Sequence, residues 1–149
     1  MPVAEARPDL VADRDAIRHL LAQYTYAGDR GQLDKLAACF TADGVLEFPG
    51  ASVAGPEAIA RALTQGAGPR APSPGFVRHH ITNPLIETDG SVAQARSYFT
   101  VHTAIGPDHS GSYLDRLVRT PEGWRFAHRR VLVDWQSPQS RFRPMVTRP

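Results

Sequence analysis

The chain has 149 residues, of which 42% are hydrophobic and 21% charged, an ordinary globular balance that excludes wholesale disorder and leaves room for one domain. Seventeen Lys+Arg against fifteen Asp+Glu leave a formal charge of +2, and the basic stretches at 125–130 and 141–148 are interrupted by apolar residues or prolines, so no nucleic-acid footprint is expected. A single cysteine, Cys39, excludes an internal disulfide and a cysteine-based zinc cluster, and no apolar run approaches the ~20 residues that span a bilayer.

Residues 1–9 carry no hydrophobic segment of the kind that directs secretion, so a cytoplasmic protein with no membrane partner is expected. The spacing of Ile17, Leu20, Leu21 and Tyr24 predicts a helix from about Val11 to Ala27, with Asp13 and Asp15 in its first turn and Gly28 and Gly31 ending it. A shorter helix follows on Leu33, Leu36, Ala37 and Phe40. Asp43-Gly44 reads as a turn, and Val45–Phe48 as a short strand stopped by Pro49-Gly50. Gly55-Pro56 opens a third helix through Ile59 and Leu63.

The period then changes. The segment Gly66–Gly75, dense in Gly and Pro, reads as a loop beside a cavity mouth, and Phe76–Glu87 as a strand with a bulge or edge position at Pro84. Asp89-Gly90 makes a hairpin turn into a long strand over Ser91–Ala104. Gly106-Pro107-Asp108 starts a loop, and Ser110–Thr120 and Trp124–Trp135 form a last hairpin around Pro121-Glu122-Gly123. Helices first and antiparallel strands second give an α+β fold: three N-terminal helices on a curved, mainly antiparallel sheet enclosing a pocket, in one domain over 1–149, with a core over about 10–136 and an irregular tail over 137–149.

Asp29 sits at the negative end of the first helix, where a carboxylate is electrostatically disfavoured unless it has work to do. His79 shares a strand face with Val77 and Ile81. Alone it reads as a core histidine; with a carboxylate partner it would be a general base. His102 is the third candidate. His19, His109 and His128 read as solvated, and no spacing supports a three-histidine metal site.

The ordered set Tyr24-x-Tyr26-x-x-Asp29, Phe40-Thr41-Ala42-Asp43-Gly44, Gly55-Pro56-Glu57-Ala58-Ile59, Arg78-His79-x-x-x-Asn83, Gly111-x-Tyr113-x-Asp115 and Gly123-Trp124-Arg125-Phe126 resembles the SnoaL-like family of the nuclear-transport-factor-two-like superfamily, over roughly Asp13 to Trp135. Within it the chain is most similar to scytalone dehydratase and bile-acid 7α-dehydratase members. That resemblance implies a cone-shaped fold and a hydro-lyase that needs no cofactor and no metal. It implies an Asp29–His79 couple, with His102 and Tyr24 as further catalytic groups. Two tyrosine positions of those dehydratases are here Gly28 and Phe48, and an asparagine position is Tyr113.

The expected reaction is loss of water from a hydroxylated cyclic ketone, steroid-like or polyketide-like. Tyr113, Phe48, Phe99, Asn83, Arg129 and Trp135 are expected to contact substrate, with Phe40 and Phe76 completing an apolar wall. Isomerisation or cyclisation by the same couple, and a non-catalytic binding or accessory subunit, are the alternatives. A homo-oligomer, trimer or dimer, is expected through one exposed sheet face and Trp135. The tail is expected to close the pocket, to meet a neighbouring subunit or to fray, with Arg129 or Arg141 available to a substrate carboxylate.

Overall fold

A computed structural model describes residues 9–65 and 75–145. The expected loop at 66–75 therefore lies almost wholly outside the described residues. The sheet begins earlier than expected, with two strands between the second and third helices: α1 (Leu10–Asp29), α2 (Leu33–Ala37), β1 (Phe40–Phe48), β2 (Ala51–Ala54), α3 (Pro56–Gln65), β3 (Arg78–Thr88), β4 (Val92–Thr103), β5 (Gly106–Thr120) and β6 (Gly123–Gln136). The sheet order is β2-β1-β6-β5-β4-β3. Every pairing is antiparallel except β1 with β6, which is parallel, so the α+β class and the layering match the expectation.

α1 starts where the Asp9 carboxylate accepts the Ala12 N–H at 3.0 Å, a side-chain N-cap. It buries Ile17, Leu20, Leu21 and Tyr24, the stripe read from the sequence. The helix runs through Gly28 to Asp29 and is stopped by Gly31, whose φ of 68° is the left-handed conformation that glycine adopts freely. The Gln32 N–H then returns to the Ala27 carbonyl at 2.9 Å.

Three boundaries differ from the sequence reading. Phe40 opens β1 instead of ending α2, and Asp43-Gly44 lies inside β1, at an irregularity between Phe40 and Val45 in its pairing with β6. Pro49-Gly50 is a hairpin into β2, which the sequence reading left out. Gly106-Pro107-Asp108 belongs to β5, so β4 and β5 are joined by two residues only. Pro84 does mark both a bulge and an edge: the β3–β4 register shifts between Thr82 and Leu85, and β3 is the last strand of the sheet.

Further shifts occur between Val101 and His102, Ser110 and Gly111, and Arg116 and Leu117. Bulges bend strands and strengthen their twist, and here they curl the sheet around the helices. One core cluster joins α1, α2 and α3 to the sheet through Leu21, Leu36, Phe40, Ile59 and Phe126; a second gathers Phe99, Val101, Tyr113, Val133 and Phe142. The residues after β6 are not loose: Phe142 is buried, and the Gln136 side chain accepts the Met145 N–H at 2.8 Å and donates to the Arg143 carbonyl at 2.8 Å.

The closest backbone approach is at Gly111, opposite Val133, where a Cβ would stand 1.8 Å from the Leu132 carbonyl oxygen. Both atoms belong to the β5–β6 ladder and neither can yield without opening it. Gly111→Ala is expected to destabilise the fold by about 3 kcal/mol or more, read as a lowered midpoint in thermal or urea denaturation. An unchanged midpoint would show that the ladder relaxes there.

Candidate active site

Between the two clusters lies a cavity of about 270 Å³, with Phe48, Leu63, Val77, Phe99, Val131 and Val133 among its apolar lining. Tyr24, Thr25, His79, His109 and Tyr113 are the polar side chains on its wall. A mostly apolar cavity with a few converging polar groups is the usual form of a small-molecule site.

His79 stands on this wall and meets Asp29 of α1. The last residue of α1 reaches the first turn of residues in β3: Asp29 Oδ1 lies 2.5 Å from His79 Nδ1, and Oδ2 accepts the His79 backbone N–H at 3.0 Å. The two bonds fix both the ring and the backbone of the histidine. An Nδ1–H committed to the carboxylate leaves Nε2 with its lone pair, and Nε2 has no protein partner among the described residues.

Tyr24 comes from α1 and Tyr113 from β5, with ring centroids 6.1 Å apart in an edge-on arrangement. Burial pushes the Tyr24 hydroxyl pKa up against the lowering effect of Arg129. Burial likewise raises Tyr113, with the proximity of Tyr24 adding to it. Both phenols are therefore protonated at neutral pH and able to donate.

Arg129 lies behind these tyrosines and not on the cavity wall. It is fully buried, and its Nε and Nη2 donate to Asp115 Oδ1 and Oδ2 at 2.8 Å each. Its guanidinium carbon stands 3.9 Å from the Tyr113 ring centroid and 4.3 Å from that of Tyr24. Burial works to lower its pKa, but the Asp115 carboxylate prevails and raises it. The pair holds the aromatic floor, and Arg129, bound bidentately to Asp115, is not offered to a substrate carboxylate.

The other expected contacts divide by sheet face. Phe48 and Phe99 line the cavity. His102 does not: it sits beside His80 on the outer face, their ring centroids 4.7 Å apart, while its neighbour Val101 is the one buried inward. His79 and His102 thus face opposite ways. Trp135 is 47% exposed; the extra residue Asp134 in β6, between the pairs Gly111–Val133 and Ser110–Trp135, turns it outward. Asn83 is exposed at the β3 bulge, with φ 53°. Phe40 is core against Tyr24 and Phe126, and Phe76 is 45% exposed.

One feature of the wall is absent from the sequence analysis: His109 is buried and faces the cavity. Phe142 and Met145 of the tail, a segment with three alternative expected places of which one is over the pocket, line it as well. A signal for His109 was present: Tyr113, Gly111 and His109 lie two apart on one strand face, once the strand is carried back past Gly106-Pro107.

Removing Asp115 would leave the Arg129 charge buried without a counter-ion. Asp115→Ala is expected to cost about 3–5 kcal/mol in urea denaturation, whereas a surface carboxylate such as Glu57, whose partner Arg61 is itself exposed, would change stability by under ~0.5 kcal/mol.

Residues 9–130 match the family model described as a SnoaL-like domain. Among curated proteins nothing matches the chain. Among solved structures, a Mycobacterium tuberculosis protein of unknown function is 33% identical, with 85% of this chain and 74% of that chain covered and a TM-score of 0.71. An NTF2-like protein with a cystatin-like fold from Novosphingobium aromaticivorans is 27% identical, with 89% and 88% covered and a TM-score of 0.70. A candidate scytalone dehydratase from the same organism, 18% identical with 94% and 97% covered and a TM-score of 0.73, shares the fold. With its three helices laid on a bulged six-stranded sheet around an apolar cavity, the chain belongs to the SnoaL-like domain family.

Proposed function

We propose that this protein is a lyase that removes water from a hydroxylated cyclic ketone or related alicyclic compound, with Asp29–His79 as its general-base couple. SnoaL-like family membership supports a small-molecule-converting enzyme. The observation that carries the finer reading is the pair of hydrogen bonds that His79 donates to the Asp29 carboxylate at the edge of an apolar cavity.

In this mechanism His79 Nε2 takes a proton from the carbon alpha to the carbonyl. The electron pair moves onto the carbonyl oxygen, where the hydroxyls of Tyr24 and Tyr113 donate hydrogen bonds to the developing charge. The pair then returns to form the C=C bond as the β C–O bond breaks, and the imidazolium gives its proton to the departing oxygen, so that one water leaves. Asp29 holds the tautomer and stabilises the imidazolium. Phe48 and Phe99 exclude bulk water from the reacting carbon. The chemistry drawn on these residues calls for no metal and no organic cofactor.

The test is turnover of a panel of β-hydroxy cyclic ketones followed by product mass. Loss of one water supports the lyase, and unchanged mass with altered retention transfers the same couple to isomerisation. His79→Ala and Asp29→Asn are each expected to lower kcat by about 10²–10⁴-fold. Full turnover in both variants would remove the couple from the mechanism.

The outer sheet face supports self-association, since Leu85, Tyr98 and Trp135 stand exposed on it and apolar area of this kind marks contact surfaces. Tyr98→Glu combined with Trp135→Glu is expected to shift the sedimentation coefficient to that of a monomer without unfolding the chain. An already monomeric parent protein would refute the inference.

A further inference from the structure

His79 is not the only histidine on this wall that a carboxylate holds. Asp108 and His109 are adjacent in sequence, and adjacent strand residues ordinarily point to opposite faces. Here the β4–β5 register passes from Val101–His109 to His102–Pro107, so Asp108 is the extra residue of a bulge. Both side chains are buried on the same side as a result, with Asp108 0% and His109 5% exposed. Their side chains meet, Asp108 Oδ1 to His109 Nδ1, at 2.7 Å. Bulges often re-aim side chains beside functional sites.

The carboxylate is fully engaged. It also accepts from the Ser140 hydroxyl at 2.6 Å, the Arg141 N–H at 2.8 Å and the Thr103 hydroxyl at 3.2 Å. Burial works to raise the Asp108 pKa, but these donors outweigh it and the net shift is downward. Burial lowers the His109 pKa; Asp108 opposes this, and the nearby His79 adds to the lowering. At neutral pH the pair is therefore a carboxylate and a neutral imidazole whose Nδ1–H is committed. What remains is the Nε2 lone pair, which has no protein partner among the described residues.

His79 and His109 are the two register partners of Val101, one on each side of β4. They stand on one face of the sheet, about 10 Å apart between Cα atoms, with Phe99 in ring contact with both. We propose that His109, held by Asp108, is a specificity-determining residue that accepts a hydrogen bond from a substrate hydroxyl lying across the cavity from the carbon on which His79 acts. The substrate class is thereby narrowed to compounds with a second, donating hydroxyl remote from the reacting centre. The inference rests on this cavity being the substrate site, as in the reading above, but not on which reaction occurs there.

A purely structural role accounts for Asp108, which pins the tail through Ser140 and Arg141. It accounts for the Nδ1–H of His109, which donates to that carboxylate, and for the ring's packing between Phe99 and Phe142, whose centroids lie 6.0 Å and 4.8 Å from its own. It gives no work to the Nε2 edge, which is turned to the cavity. That acceptor opens onto an apolar cavity, where a donor carried by the occupant would meet it.

The test uses binding, so that failure of the lyase reading leaves it intact. The probes are 2-naphthol and 2-methylnaphthalene, alike in shape and differing in the donor. The parent protein and His79→Ala are both expected to bind 2-naphthol about 10- to 100-fold more tightly than 2-methylnaphthalene, and His109→Phe is expected to lose that preference. Equal or absent binding of the two probes by the parent overturns the proposal. So does a preference that survives in His109→Phe. Should His109→Phe not fold, the parent protein decides alone: its His109 Nε2 nitrogen-15 resonance must move on addition of 2-naphthol and stay still with 2-methylnaphthalene. A resonance that ignores 2-naphthol overturns the assignment.

Discussion

A carboxylate at the C-terminal end of a helix sits in the negative end of the helix dipole and destabilises it by a few tenths to one kcal/mol. Asp29 occupies that place and is offset by two donors from one residue, the backbone and ring N–H groups of His79. The consequence extends beyond the couple itself. β3 is an edge strand, paired on one side only, and α1 supplies what the missing neighbour does not. Near its other end Arg14 Nε donates to the Ile86 carbonyl of β3 at 3.3 Å. Helix and edge strand are thus tied at both ends, and the space left beneath the tie is the cavity. The contact that orients the proposed base also holds the wall it stands on.

The sheet contributes the rest of the site through its irregularities. Strict alternation places one residue in two on the concave face, so an unbroken sheet could not bring Asp108 and His109 to the same side. Nor could it put Val133 inside and Trp135 outside. One extra residue does each: Asp108 in β5 and Asp134 in β6. The same devices bend the strands around α1. Curvature and site chemistry therefore have a common origin, and a change that straightened a bulge would alter both.

This explains what the sequence could and could not disclose. Periodicity is local, and it revealed α1 with its buried stripe, the two long hairpins of β3–β6 and the α+β order. Asp29 was legible because a carboxylate at a helix end violates a local rule, and His79 because it interrupts an apolar strand face. A bulge is not local: it is defined by the partner strand's register. Trp135, expected both at the substrate and at an exposed contact face, stands only on the exposed face because of the extra residue Asp134, and His109 falls in an expected loop because Gly106-Pro107 resembles a turn. His102 is a different case. Counting in twos from Phe99 and Val101 already sends it outward; the family resemblance suggested otherwise, and the alternation was the better guide. The tail was read as irregular because its order comes from Gln136 and Asp108, partners that no periodicity within 137–149 could announce.

The charges follow one rule that bears on what the cavity can hold. Each acid beside it is spoken for: Asp29 by His79, Asp108 by four donors, Asp115 by Arg129. Arg129 gives Nε and Nη2 to Asp115 and keeps a buried, unpartnered Nη1 behind the rings of Tyr24 and Tyr113, off the cavity wall. Breaking any of these pairs to engage a charged ligand would leave a buried ion without its partner, at a cost of several kcal/mol. The polar side chains on the wall itself are those of Tyr24, Thr25, His79, His109 and Tyr113, with no arginine among them. In the proposed reaction such a wall would discriminate by the placement of hydroxyl and carbonyl groups on an uncharged, largely apolar molecule. Arg129, paired with Asp115, therefore acts in the proposed reaction as a support: it holds Tyr24 and Tyr113 in place where a negative oxygen would form.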